Sequence, residues 1–474
     1  MKKQVVPLIE ELKTSLSPID CFETIQDEPS SFFLDSASRK ERLGRYSFFG
    51  YDPFLVCTVR GSEINLIQDG KTSRVQANPF DLLKKPFSSY SLASRAGMPP
   101  FLGGMVGYFG YDLGRFIEVI PSLSVDDIPI PDAYLAFYDT VVIFDHAKDR
   151  VYISSTGFPE ESETLRKKRA VAKIKEWERK LSSLNKGNPK PLHFPVSDTS
   201  PQLTSNFTYD QYISAINKAK EYIAAGDIYQ VNLSQRFTSE AHTPPFPLYK
   251  RLRTINPAPF AAYLNFDEIT VLSSSPERFL RISGKRVETR PIKGTRPRGK
   301  SSSEDRSLKS ELLKSKKDRA ELIMIVDLER NDLGRVCKYG SVSVPELSTL
   351  ETYSTVFHMV STITGTLREE CDHIDCLRAC FPGGSITGAP KIRSMEIIEE
   401  LEPTRRKIYT GSLGYLGFNG QTDLNIVIRT MVIADGKVYF QSGGGIVADS
   451  DPEKEYEETI HKAVALISAL GLKP

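Results

Sequence analysis

Residues 1 to about 160 read mostly as strands. Short apolar or alternating runs succeed one another: Ser31-Phe-Phe-Leu-Asp-Ser36, Tyr46-Ser-Phe-Phe-Gly50, Phe54-Leu-Val-Cys-Thr-Val59 and Glu63-Ile-Asn-Leu-Ile67, then Ala133-Tyr-Leu-Ala-Phe-Tyr138, Val141-Val-Ile-Phe144 and Val151-Tyr-Ile-Ser154. β-Branched and aromatic residues at that spacing suit a pleated surface, so each run is predicted as a strand. Gln68-Asp-Gly-Lys71 supplies a turn. The glycines among aromatics in Phe101-Leu-Gly-Gly-Met-Val-Gly-Tyr-Phe-Gly110 lack the spacing of a dinucleotide site and instead point to close backbone approach inside a sheet.

A charged helix follows, from about Glu160 to Leu184, around the only tryptophan, Trp177. From Lys186 to Ser205 the chain is rich in Pro, Ser, Thr and Asn, the composition of a linker. A strand-rich region, residues 1–200, is thereby set off from a second region, residues 201–474. With 474 residues, 40% hydrophobic and 26% charged, the chain is ordinary globular material able to build a sizeable core. The 62 Lys and Arg against 60 Asp and Glu leave a charge of +2, so the balance asks for neither nucleic acid nor an anionic membrane. The N-terminal stretch has charges but no apolar signal core, and no later run reaches membrane-spanning length, so a soluble cytoplasmic protein is expected. Six cysteines are too sparse for a disulfide framework. Cys371, Cys376 and Cys380 lie near His373 without a zinc spacing, and are expected to be buried thiols.

The second region opens on a helix with Thr208 as its cap, Tyr212, Ile216 and Ala219 on one face, and Gly226 as its stop. In the next strand Gln230, Asn232 and Ser234 share a polar face, suited to a cavity wall or to solvent. A hairpin through Arg278 and Arg286 brings Glu277 toward Glu288-Thr-Arg-Pro-Ile-Lys-Gly-Thr-Arg-Pro-Arg-Gly299. Pro291 and Pro297 argue there for a shaped loop rather than a central strand. Arg290, Arg296 and Arg298 surround Lys293; cationic neighbours lower a lysine's pKa, and a neutral lysine is a nucleophile. The alternative is a solvated basic loop.

Carboxylates sit oddly further on. Lys317 to Leu328 is helical in period and apolar nearly all round, so Glu321 is expected to be paired, neutral or bound to a cation. Gly443-Gly-Gly445 reads as a loop whose N–H groups suit an anion. The helix after it, with Asp451 as cap and Pro452 at its first position, carries Glu455, Glu458 and Lys462 on one face, either as a surface ion-pair row or as a site. Glu321 and Glu458 offer the hard oxygens that Mg²⁺ prefers. Phe381-Pro-Gly-Gly-Ser-Ile-Thr-Gly-Ala-Pro-Lys391 opens another helix at Pro390, with N–H groups that favour anions.

Ser275-Pro-Glu277, Pro291 to Arg298, Asp318 to Arg335, Phe381 to Lys391 and Gly443 to Ser450, in that order, resemble the chorismate-utilising enzymes over nearly all of residues 205–470. The resemblance implies an α+β fold of large, mostly antiparallel β-sheets packed as a sandwich with helices outside. It implies Lys293, Glu277 and His358 as catalytic residues, with Glu277 the general acid. It also implies Mg²⁺ held by Glu321 and Glu458. The substrate, chorismate, would be bound by Arg429, Lys462, Thr295, Gln230 and the amides of Gly443, Gly444 and Gly445. Gln230 stands where water-adding relatives carry a lysine base, which argues against water as the nucleophile.

Two branches compete. Anthranilate synthases typically read Pro-Ile-Ala-Gly-Thr at the loop and aminodeoxychorismate synthases often Pro-Ile-Lys-Gly-Thr, so Lys293 favours the second. The expected reaction therefore uses chorismate and ammonia to make 4-amino-4-deoxychorismate, toward para-aminobenzoate and folate. A separate glutamine amidotransferase subunit, forming a heterodimer, would supply the ammonia. Anthranilate synthase component I is the alternative. Asp35, Ser36, Arg45, Tyr46 and Ser47 resemble the region where relatives hold tryptophan, with Asp35 in place of a common glutamate.

Overall fold

The structure, a computed structural model, describes residues 5–37, 43–93, 97–182, 202–353 and 356–473; most of the predicted linker lies outside them. Two twelve-stranded sheets form the body, and within each the paired strands are antiparallel. Strand alternation separates two cores. Phe32, Phe48, Ile143 and Leu264 project into one, while their chain neighbours Phe33, Phe49, Val142 and Tyr263 project into the other. Successive side chains of a strand face opposite ways, so apolar runs such as Ser31–Asp35 bury both faces.

The first core lies between the sheets, where Tyr108 and Leu413 of the second sheet meet Phe32 and Leu264 of the first. The second covers the outer face of the first sheet with the helices Pro18–Glu23, Glu163–Ser182, Pro245–Ile255 and Pro452–Ala469, through Phe22, Trp177, Leu252 and Leu466. This is the expected sandwich with helices outside. Both sheets combine strands from either side of residue 200: Phe260–Phe266 pairs with Ser31–Asp35, and Ser412–Gly417 with Gly104–Phe109.

Local readings hold for the predicted strands, for the Asp69–Gly70 turn with both residues at positive φ, and for the helix Tyr209–Ala225 between Thr208 and Gly226. Gly107 shows why the glycine-rich stretch has no alternative: a Cβ there would stand 2.0 Å from the Tyr134 carbonyl oxygen. All six cysteines are free and buried. Among the described residues no helix is long and apolar enough to cross a membrane.

Three expectations are corrected. The stretch around Lys293 is a bent strand rather than a loop: Arg286–Arg290 and Ile292–Pro297 both pair with Val356–Thr366. Pro291 occupies the break and Pro297 the last position, where no ladder N–H is needed, and Gly294 at φ +77° takes up a register shift. Gly443–Gly445 likewise continue the strand Lys437–Ile446, paired with Leu233, Ser234 and Asn232. The helix Lys316–Gly334 buries Leu322, Ile325 and Val326 but leaves Ile323 43% exposed, so it lies on the surface of the sandwich.

Phe33 stacks on Phe22 with centroids 5.1 Å apart in the second core. Phe33→Ala should cost about 3–5 kcal/mol in denaturant unfolding. Val119→Ala, at a residue 97% exposed, should stay within about 0.5 kcal/mol.

Candidate active site

At one end of each sheet the strands Gln230–Glu240 and Lys437–Ile446 approach Ile292–Pro297 and Val356–Thr366, and the helices Lys316–Gly334 and Pro452–Ala469 close the space between. The result is a cavity of about 960 Å³. Glu277, Lys293, Thr295, Glu321 and His358 line it, as do Arg429, Gly443, Gly445, Glu458 and Lys462. Gln230 is not on that wall but donates from Nε2 to Glu321 Oε1 at 3.0 Å, and so supports it from behind.

The centre is an ion pair. Lys293 Nζ lies 3.0 Å from Glu321 Oε1, and also donates to the Ser385 carbonyl oxygen at 3.2 Å. The Ser385 hydroxyl donates to Glu277 Oε1 at 2.8 Å, so one serine ties the proposed acid to the lysine. Burial pushes the Glu277 carboxyl above the usual carboxylate range, against Ser385 and Lys293, which pull it down. A shift in that direction favours the protonated form that a general acid needs.

Lys293 behaves contrary to expectation. Burial works against its charge, but Glu321, with Glu277 and Glu458 behind it, holds the ammonium above the usual lysine value. The three arginines do not lower it, because each has a carboxylate of its own: Arg290 with Glu351 at 2.6 Å, Arg296 with Glu311 at 2.6 Å, Arg298 with Asp305 at 2.5 Å. Opposite charge at contact distance outweighs like charges that are already neutralised.

A second pair faces the first. Lys462 Nζ lies 2.5 Å from Glu458 Oε1 and donates to the Gly443 carbonyl oxygen at 3.0 Å. Burial raises the Glu321 and Glu458 carboxyls, yet both end below their usual range because Lys293 and Lys462 respectively dominate. The Arg429 guanidinium donates to the Lys462 carbonyl oxygen, which fixes the guanidinium against the closing helix. Thr295 Oγ1 and His358 Nδ1 are 2.8 Å apart across the paired strands. Among the described residues no group of three or more His, Cys, Asp and Glu forms a ready metal site.

Sequence reasoning missed Ser385. It read the stretch as a helix-opening anion loop, and no pattern reveals that a backbone carbonyl and a hydroxyl of one residue reach two different catalytic candidates.

The residues expected to resemble a tryptophan site sit elsewhere. Asp35, Ser36, Arg45 and Tyr46 border a separate cavity of about 400 Å³, while Ser47 is buried, its hydroxyl 2.8 Å from His146 Nε2. The Asp35 carboxylate is engaged by Arg253 at 2.7 Å and Tyr249 at 3.2 Å, and Arg45 by Asp145 at 2.8 Å.

Residues 34–468 match the sequence pattern of the chorismate binding enzymes. The chain belongs to that family. It is 42% identical to aminodeoxychorismate synthase component 1 of Bacillus subtilis over 94% of this chain and 93% of the relative. It is 40% identical to anthranilate synthase component 1 of Acetivibrio thermocellus over 98% and 95%. The crystal structure of anthranilate synthase component I from Streptococcus pneumoniae superposes with a TM-score of 0.78 at 30% identity, covering 96% of this chain and 97% of that one. The chain is thus an enzyme acting on chorismate, in the fold the resemblance implied.

Two measurements follow from this geometry. Ser385→Ala should lower chorismate turnover by about 10- to 100-fold with little change in KM, since it loosens the acid rather than the substrate. Glu329, buried and hydrogen-bonded from Thr289 at 2.9 Å, has its carboxyl pushed up to about 8 by burial. The folded protein keeps a proton there that the unfolded chain releases above about pH 4.5, so stability falls as pH rises through about 8. Glu329→Gln removes that slope, and unfolding between about pH 5 and pH 9 should show the variant's advantage growing with pH.

Proposed function

We propose that this family member is component I of an aminodeoxychorismate synthase: chorismate and ammonia yield 4-amino-4-deoxychorismate and water. The observation that carries the reading is Lys293, an amine inside the catalytic cavity, joined to the acid Glu277 through Ser385. Overall similarity does not separate the branches, because the two named relatives are 42% and 40% identical. The side chain at 293 supports the aminodeoxychorismate reading, since alanine there offers no nucleophile.

Glu277 gives its proton to the departing 4-hydroxyl while Lys293 Nζ bonds to C2, and both ring double bonds shift toward C4 as water leaves. Ammonia then bonds to C4, the double bonds return, the C2–Nζ bond breaks with its electron pair returning to Nζ, and a proton of the new C4 ammonium goes back to Glu277. No pyruvate is lost. Lys293 must first give up a proton to solvent, which its own burial favours and which Glu321 would oppose less if it shared its charge with another cation.

Mg²⁺ fits as that cation. Glu321 and Glu458 are hard donors held ionised, and they close over bare backbone: a Cβ at Gly445 would stand 2.9 Å from Glu321 Oε1, and one at Gly444 3.8 Å from Glu458 Oε1. The ion would neutralise substrate carboxylate charge. Arg429 and Lys462, on the same wall, suit a carboxylate of chorismate. A separate glutamine amidotransferase subunit would deliver the ammonia.

The anthranilate synthase reading is the alternative, and His358 on the cavity wall fits both. Mass spectrometry of the product from chorismate, ammonium and Mg²⁺ decides between them: aminodeoxychorismate is expected, and anthranilate with pyruvate would overturn the assignment. Lys293→Ala should reduce aminodeoxychorismate formation by roughly 100-fold or more; an unchanged rate removes the nucleophile. EDTA should abolish turnover and added Mg²⁺ restore it.

A further inference from the structure

Asn232 lies on the wall of the catalytic cavity, in the strand Gln230–Glu240 and directly opposite Gly445 of the strand Lys437–Ile446. Its main chain is fully engaged. The N–H donates to the Thr387 carbonyl oxygen at 2.7 Å, and the carbonyl accepts from Arg406 Nη2 at 2.7 Å. The same guanidinium donates from Nη1 to the Ile386 carbonyl oxygen at 3.1 Å. Asn232 is thereby fixed beside the stretch Ser385–Thr387, whose first residue joins Glu277 to Lys293.

The side chain is not engaged. Its Oδ1 is shut in without a hydrogen-bond partner, and among the described residues no acceptor receives Nδ2. What exposure the residue has, 8%, opens on the cavity it lines, so the nitrogen end is the one a ligand meets. A buried amide held this way lowers stability rather than adding to it, and an apolar side chain of the same size would carry no such cost. Its place is explained by a ligand that brings an oxygen to Nδ2.

Chorismate brings carboxylate and hydroxyl oxygens. Arg429, Lys462 and a cation on Glu321 and Glu458 suit the carboxylates. In the proposed reaction the 4-hydroxyl faces Glu277, and Glu277 is held by Ser385, in the stretch against which Asn232 rests. We propose that Asn232 holds the 4-hydroxyl of chorismate: Nδ2–H donates to one lone pair of that oxygen and leaves the other turned to Glu277, which protonates it. The bond is made in the ground state, so it acts in binding rather than on the chemical step. The inference rests on the reading that the 4-hydroxyl is the group that departs.

Two variants test it, with consumption of chorismate followed in ammonium and Mg²⁺ so that the readout is the same whichever product forms. Asn232→Leu removes the donor at similar volume; Asn232→Asp keeps the shape and offers no N–H. Both should raise the KM for chorismate by about tenfold, Asn232→Asp by more because its carboxylate repels a dianion, with kcat within about threefold of wild type. An analogue of chorismate lacking the 4-hydroxyl, used as a competitive inhibitor, should bind wild type and Asn232→Leu within about twofold of each other. Thermal unfolding without substrate should show Asn232→Leu at least as stable as wild type; if it does not fold, Asn232→Ala takes its place. A chorismate KM within about twofold of wild type in both variants overturns the proposal. An equal loss of affinity for the analogue overturns it too, and would put Nδ2 on a carboxylate. Anthranilate as the product would overturn the assigned branch alone, while this contact stands or falls on the KM and inhibitor values.

Discussion

A lysine that is only 12% exposed has to share its charge, and Lys293 shares it with Glu321, itself 15% exposed, at 3.0 Å. A buried charge without a partner would cost several kcal/mol, so the two side chains hold each other in place. The rest of the site is arranged around that pair. Gln230 braces the carboxylate, the Ser385 carbonyl braces the ammonium, and the hydroxyl of the same serine holds Glu277. The second pair, Lys462 with Glu458, repeats the arrangement on the opposite helix. Two ion pairs facing one cavity form a reservoir of charge that a dianionic substrate and a divalent cation can take over partner by partner.

The sandwich makes this tolerable. Strands that bury both faces give the sheets little freedom, so the ends that carry Lys293, His358 and the three glycines keep their separation. The glycines serve the same end from the other side. A Cβ at Gly445 would stand 2.1 Å from Gln230 Nε2 and 2.9 Å from Glu321 Oε1, so that amide and that carboxylate approach the strand only because nothing projects from it. What looked like an anion loop is a strand made bare.

Much of the fold was legible because short-range rules apply to it. Period-two runs, the Asp69–Gly70 turn and the caps at Thr208, Gly226 and Asp451 depend on residues within a few positions of one another. The misreadings share one cause. Pro291, Pro297 and the Gly443–Gly445 run carry the local signature of loops, yet partners far away in the chain, Val356–Thr366 and Gln230–Glu240, supply ladders that local rules do not see. The same holds for charge: Arg290, Arg296 and Arg298 are near Lys293 in sequence, but Glu351, Glu311 and Asp305 are nearer to them in space.

Sequence alone determined which residues of this chain are present to do chemistry, and where its first strands run, because side-chain type and the spacing of apolar residues are local properties. Tertiary structure alone decided which charges meet. The pairing of Lys293 with Glu321 and the bridge through Ser385 join segments up to 108 residues apart, and electrostatic and hydrogen-bond energies depend on distance in space.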